Sequence, residues 1–226
     1  MLRRILDAHD GTLPDNVYVL FADTGKERAE TYNFVRACAS AWRVAIVWVQ
    51  RPGQFEQLLT DRSFPPNPVM RFCTQELKIR PMRDWMRAHG YEHWTNVVGI
   101  RADEPRRVAK IRTAQETRSE RWDIELPLAD AGITVSDVMT FWAAQPFDLH
   151  LKPHEGNCDL CFLKGYDKIV NIVRDRPDLA LWWAEQEDRL GATFRNDRPS
   201  YRAMLAQPDL FKDGQQENII ECFCTD

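Results

Sequence analysis

The sequence predicts an α/β fold, a doubly wound and mainly parallel sheet followed by a helical, cysteine-rich C-terminal part. Three observations predict it. Short apolar runs, Asn16–Phe21, Val44–Val49 and Trp94–Ile100, alternate with segments of helical spacing. Glycine-bearing polar turns follow the first and third runs, at the carboxyl ends where an open parallel sheet binds its ligands. Beyond Pro146 the pattern changes to a cysteine loop, Gly156–Lys164, and further helical segments.

In chain order, Met1–His9 reads as a short amphipathic helix with Leu2, Ile5 and Leu6 on one face. Asn16–Phe21, bounded by Pro14 and Gly25, suits a buried parallel strand. Glu27–Trp42 has helical spacing and Val44–Val49 is again a strand, so these three elements imply a crossover between parallel strands. The polar, proline-punctuated stretch Pro52–Pro68 reads as a surface excursion. Thr74–His89 is a helix stopped by Gly90, and Trp94–Ile100 is the next strand. Arg101–Arg121 is dense in charge and reads as a loop over the ligand side. Leu126–Leu128 ends a strand, and Val135–Trp142, Tyr166–Arg174 and Asp178–Leu190 are helices. Two parts result: a nucleotide-binding-type α/β unit at 1–165 and a helical extension at 166–226 ending in Cys222-Phe-Cys224.

Of the 226 residues 44% are hydrophobic and 28% charged, a balance that suits a soluble domain with a real core. No window approaches the ~18 apolar residues of a membrane span, and Met1-Leu2-Arg3-Arg4 lacks the apolar stretch of a secretory signal. A cytoplasmic protein is expected. A net charge of -4 gives no general reason to bind nucleic acid. Six cysteines without a sign of export argue for metal or redox chemistry rather than a disulfide framework.

The chemistry-bearing residues are clustered. Asp23-Thr24-Gly25 closes one strand and opens a helix, where an Asp carboxylate and free backbone N–H groups can bind a nucleotide; an ordinary turn capped by Asp23 or Thr24 is the alternative. Gly99-Ile100-Arg101 with Glu104 and Arg107 sits at another strand end, where arginines bind phosphate or sulfate. Cys73 precedes a helix, near Lys78 and Arg80, in a setting that favours a thiolate. Cys158-Asp-Leu-Cys161 can bind zinc or cluster irons, or act as a redox pair, and Cys222 and Cys224 add two more thiols. Cys38, alone on an apolar helix face, is structural; Trp142, Trp182 and Trp183 read as core, and His150 and His154 as caps rather than ligands.

In this order the motifs resemble the phosphoadenylyl-sulfate and adenylyl-sulfate reductase family, within the adenine nucleotide α-hydrolases with a pyrophosphate loop. The resemblance runs from about Asn16 to Lys164. It rests on Asp23-Thr24-Gly25 with Glu30-Thr31, on Gly99-Ile100-Arg101 with Glu104 and Arg107, and on Leu126-Pro127-Leu128, Asp137-Val138, Phe141-Trp142 and the Gly-x-Cys-x-x-Cys loop. It implies a Rossmann-like fold in which Asp23, Thr24, Gly25, Lys78, Gly99, Arg101 and Arg107 bind an adenine nucleotide. It further implies a 4Fe-4S cluster, or else zinc, on Cys73, Cys158, Cys161 and Cys224. Cys222 would attack a sulfonucleotide to give sulfite and a nucleotide, with a thioredoxin-like reductant.

Three departures shape the expectation. The iron–sulfur reductases carry adjacent cysteines where this chain has Phe72-Cys73, so one ligand is expected from the terminal pair. Their tail reads Glu-Cys-Gly-Leu-His, and this one reads Glu221-Cys222-Phe223-Cys224-Thr225-Asp226. The Ser-Gly-Gly-x-x-Ser pyrophosphate loop and its strand do not precede the Met1–His9 helix, which implies a start further upstream or another element in that place. Two other functions stay open. One is ATP-dependent adenylylation and sulfur transfer to tRNA or DNA, with Arg106, Arg112, Arg118 and Arg121 holding the nucleic acid. The other is a non-catalytic nucleotide- or metal-binding module.

Overall fold

The structure, a computed structural model, describes residues 1–117, 122–152, 154–156 and 158–207. It is mixed α/β. Helix α1 (Leu2–Ala8) leads to β1 (Val19–Ala22), α2 (Ala29–Trp42) and β2 (Ile46–Val49). Strands β1 and β2 pair in parallel, Val19 opposite Ile46 through Ala22 opposite Val49, which is the strand–helix–strand unit that the apolar runs predict. A second parallel pair joins β3 (Trp94–Val97) to β4 (Trp122–Glu125), with Trp94 opposite Trp122 and their rings stacked. The described strands therefore form two separate pairs.

Several segments differ from the sequence expectation. Pro52–Pro68 contains a helix, α3 (Gln54–Arg62), because the prolines only flank it; Phe55, Leu58 and Leu59 fall at i, i+3 and i+4 and are buried. The charged stretch Arg101–Arg121 is also largely helical, as α6 (Pro105–Glu116). Pro105 presets its first turn, and Arg107, Ile111 and Gln115 recur every fourth residue on the less exposed face, so the charge run is the solvated side of a helix. Pro127 opens a short helix α7 (Pro127–Asp130) rather than ending a strand, and β3 stops at Val97.

The helix expected at Thr74–His89 begins earlier and changes pitch. It runs through α4 (Phe72–Thr74), a π-helical stretch (Gln75–Ile79) and α5 (Arg80–Ala88). Pro81 explains the wide turn: it has no N–H for the carbonyl of Leu77, and its ring would strike that carbonyl in a regular helix. Helix α8 (Val135–Ala143) starts at a capping box made by Thr134 and Asp137.

The C-terminal helices are α9 (Tyr166–Asp175), α10 (Pro177–Leu190) and α11 (Tyr201–Ala206), the last without a counterpart in the sequence expectation. They share one core with the rest of the chain. Phe55, Leu58 and Leu59 of α3, Leu77, the cysteine-loop residues Leu160–Leu163, and Trp183, Phe194, Tyr201 and Met204 form a single buried cluster. Of the three tryptophans read as core, Trp183 is buried there and Trp182 lies at its edge, while Trp142 joins Phe34, Trp42, Phe141 and Phe147 in a separate aromatic group between α2 and α8. No helix among the described residues is long and apolar enough to cross a membrane.

One buried carboxylate fixes the end of this arrangement. Glu187 on α10 accepts hydrogen bonds from the backbone N–H groups of Phe194 (3.1 Å) and Tyr201 (2.8 Å), which folds the connection after Gly191 back onto α10. Burial raises its pKa above the ordinary carboxylate range, opposed by those two hydrogen bonds. Glu187→Ala would leave both amides buried without an acceptor, so the urea midpoint should fall by the equivalent of about 2–3 kcal/mol, with Glu187→Gln about half as costly. An unchanged midpoint for both would show that the contact is energetically idle.

Candidate functional site

Strand β1 delivers its last residues to a loop held by a set of local hydrogen bonds. The Asp23 N–H donates to Val49 O (2.8 Å), extending the β1–β2 pairing by one residue. Its carboxylate accepts from Gly25 N–H (2.9 Å) and from the Tyr32 hydroxyl (2.6 Å), an Asx-type turn anchored to α2. Thr24 is buried and donates its N–H (3.0 Å) and hydroxyl (2.8 Å) to the Glu27 carboxylate. Gly25 has φ +78, and a Cβ there would come within 2.5 Å of the Gln54 side chain at the start of α3. Phe55 N–H donates to Thr24 O (3.2 Å), so α3 grips the loop from the far side.

The cysteine loop docks onto this strand-end loop. Glu27 and Cys158 form an antiparallel bridge, and Asp159 N–H donates to Lys26 O (2.9 Å). Beneath that contact Arg28, only 4% exposed, bonds the Glu155 carboxylate and lies 3.7 Å from Asp159 and 3.8 Å from Glu30. Lys164, also buried, donates to Cys158 O (2.6 Å). Lys26 lies with its ammonium 3.5 Å from the centre of the Trp182 ring on α10. Burial lowers its pKa, partly offset by Asp159, Glu56 and Cys158. Sequence reading missed Lys26, Arg28, Glu155 and Asp159, since a charged residue beside a turn looks solvated until its neighbours are known.

Of the expected sulfur ligands, three fall among the described residues. Cys161 is buried in the main core cluster, and Cys158 and Cys73 pack against that cluster from the loop and from α4. Among the described residues no three His, Cys, Asp or Glu side chains are grouped to hold a metal ion. Cys222 and Cys224 lie outside the described residues. The described thiols alone do not complete the expected ligand set. Cys38 is buried, and burial pushes its thiol up to about 11, as a structural cysteine requires. His150 is exposed, 3.9 Å from Asp148, and His154 is 3.2 Å from Asp175.

The second strand-end loop belongs to the other strand pair, and its arginines are already matched. Arg101 bonds Asp103 (2.9 Å), and Arg107, buried on the inner face of α6, bonds Glu104. Asp103 in turn accepts from Val135 N–H (3.1 Å), which ties the loop to the start of α8. Gly99 packs against Met1, whose side chain would be 3.6 Å from a Cβ there. Lys78 lies half-buried in the π-helical stretch, where its neighbour Glu76 is buried and held by Arg62 (2.8 Å) and Arg80 (2.6 Å). Arg106 is exposed, Arg112 pairs with Asp130 (2.6 Å), and Arg118 and Arg121 lie outside the described residues. An open groove of about 440 Å³ between α6 and α7, lined by Ala102, Val108, Arg112 and Ala129 among others, includes neither the strand-end loop at Asp23–Gly25 nor the cysteine loop.

Burial pushes the Asp159 carboxyl up to about 6 from its ordinary 3.8, against the opposing pull of Arg28, Lys26 and Lys164. The folded protein then holds that proton more tightly than the unfolded chain does. The sign follows: this group's contribution to stability falls as pH rises from 3.8 through about 6. Asp159→Asn should therefore flatten the pH dependence of Tm in that window relative to the unsubstituted protein. Parallel Tm–pH curves for the two would contradict the assignment.

Comparison with known proteins adds a family to this geometry. The profile of the Phosphoadenosine phosphosulfate reductase domain matches residues 9–147. The chain is also 28% identical over 190 residues to the "Uncharacterized nin region protein ORF290" of Escherichia phage lambda, covering 73% of this chain and 62% of that protein. It thus spans less than two thirds of that curated relative's length. No solved structure matches.

Proposed function

The chain belongs to the phosphoadenosine phosphosulfate reductase domain family, and from that membership and the docked loops we propose that it is an adenine-nucleotide-binding enzyme that reduces a sulfonucleotide. One observation carries the reading. The cysteine loop sits directly on the strand-end loop, through the Glu27–Cys158 bridge and the Asp159–Lys26 hydrogen bond, so a thiol-bearing segment borders the turn that would hold the nucleotide. Asp23, Thr24 and Gly25 form that turn, at the end of the first strand of the parallel β1–β2 pair. Gly99, Arg101, Arg107 and Lys78 are the remaining proposed nucleotide contacts, with Arg101 and Arg107 exchanging their present carboxylate partners for substrate anions.

In this reading the Cys222 thiolate attacks the sulfonyl sulfur, and the bond from that sulfur to the phosphate oxygen breaks. The nucleotide leaves with the electron pair, and Cys222 carries a thiosulfonate. A dithiol protein of the thioredoxin class then attacks the cysteine sulfur, releases sulfite and takes up the oxidation as a disulfide. A cytoplasmic, reducing setting suits this cycle. A metal centre on Cys73, Cys158, Cys161 and Cys224, iron–sulfur or zinc, belongs to the same proposal and when bound would act electrostatically or as a structural tie.

The direct assay is sulfite release from adenylyl- and phosphoadenylyl-sulfate in the presence of a dithiol, with iron, sulfide and zinc measured on protein purified without oxygen. Cys222→Ser should abolish sulfite release while leaving nucleotide binding within about twofold of the unsubstituted value. ATP–pyrophosphate exchange without sulfite release would move the reaction to adenylylation. Nucleotide binding without either reaction would leave a binding module.

A further inference from the structure

We infer that Lys26 is a further residue that binds the anionic group of the bound adenine nucleotide, beside those named above, and that Trp182 is the positioning residue that holds it ready. This deepens the nucleotide reading above and rests on it. Lys26 follows Asp23-Thr24-Gly25 directly, and its carbonyl is fixed by Asp159 N–H, so its main chain is immobilised where the two loops meet. Its ammonium lies 3.5 Å from the Trp182 ring centre.

The neighbouring cations explain why Lys26 is singled out. Where the two loops dock, Arg28 is taken by Glu155 and Lys164 by Cys158 O. Lys26 makes no ion pair among the described residues; its contact is an aromatic face, with Asp159, Glu56 and Cys158 near enough to act on it but not bonded to it. An ammonium drawn partly out of water needs a counter-charge, and a ring quadrupole replaces only part of its lost hydration. A phosphate or sulfonate at the strand end would complete it, and Lys is a natural point-charge ligand for such a group.

The helical spacing of Trp182 predicts a core position. In the structure it lies at the edge of the core, beside Phe55 and Trp183, and its face is spent on Lys26. It therefore links α10 to the strand-end loop.

The test is equilibrium binding of AMP, adenylyl-sulfate and uncharged adenosine to the full chain carrying Lys26→Met, Lys26→Arg, Trp182→Leu or Trp182→Phe. Lys26→Met should weaken AMP or adenylyl-sulfate by about tenfold or more and change adenosine by no more than about twofold. Loss of both anionic ligands assigns the contact to the shared phosphate; loss of adenylyl-sulfate alone assigns it to the sulfonyl group. Trp182→Leu should weaken the same ligands by a smaller factor, and Trp182→Phe, which keeps a ring, should restore them, a rescue that a packing role alone would not make selective for charged ligands. Lys26→Arg, which keeps the charge, guards against reading misfolding as lost contact. Unaltered binding of both anionic ligands by Lys26→Met, or equal weakening of adenosine, would overturn the inference. Failure of the unsubstituted chain to bind any of the three would instead overturn the nucleotide reading beneath it.

Discussion

A single buried guanidinium holds the two halves of the site in register. Arg28 caps α2 in extended backbone conformation, and its side chain is sunk beneath the cysteine loop against Glu155 and Asp159. A charge so placed must be neutralised, and removing one partner of a buried pair typically costs about 3–5 kcal/mol. Such a pair adds little to net stability against an apolar substitute, yet it penalises every arrangement in which the loops part. The Glu27–Cys158 bridge, the Asp159–Lys26 bond and the seat of Lys164 under Cys158 all depend on that docking.

The docking also sets the electrostatics. Three cations, Lys26, Arg28 and Lys164, converge near the Cys158 backbone, and two acids, Glu155 and Asp159, answer them. Burial disfavours the charge of Asp159 and raises its pKa to about 6.

Much of the fold was legible in the sequence because it follows from periodicity. The β1–α2–β2 unit, β3, α8, α9 and α10 stand where apolar spacing placed them, within a few residues at their ends. Where the reading failed, a local rule lost to tertiary packing. Prolines at 52, 65, 66 and 68 suggested a loop, although Phe55, Leu58 and Leu59 already had helical spacing. Charge density hid α6, whose inner face carries only a few less polar residues. The π-helical turn before Pro81 needed knowledge that the helix continues through the proline.

The site was legible only in its motif residues. Asp23, Thr24 and Gly25 could be found because a strand-end turn needs an oxygen acceptor and a glycine. Arg101 and Arg107 stand out in the sequence for their charge, but their pairing with Asp103 and Glu104 could not be foreseen from spacing. Arg28 and Glu155 are separated by 127 positions, so only the folded chain brings them together.

The central claim is that the strand-end loop and the cysteine loop respond as one site. Amide hydrogen exchange on the full chain, with and without an adenine nucleotide, tests it most directly. The account requires slowed exchange in both 22–31 and 155–164 when nucleotide is present. Slowing confined to one of these segments, or to neither while nucleotide is bound, would contradict it.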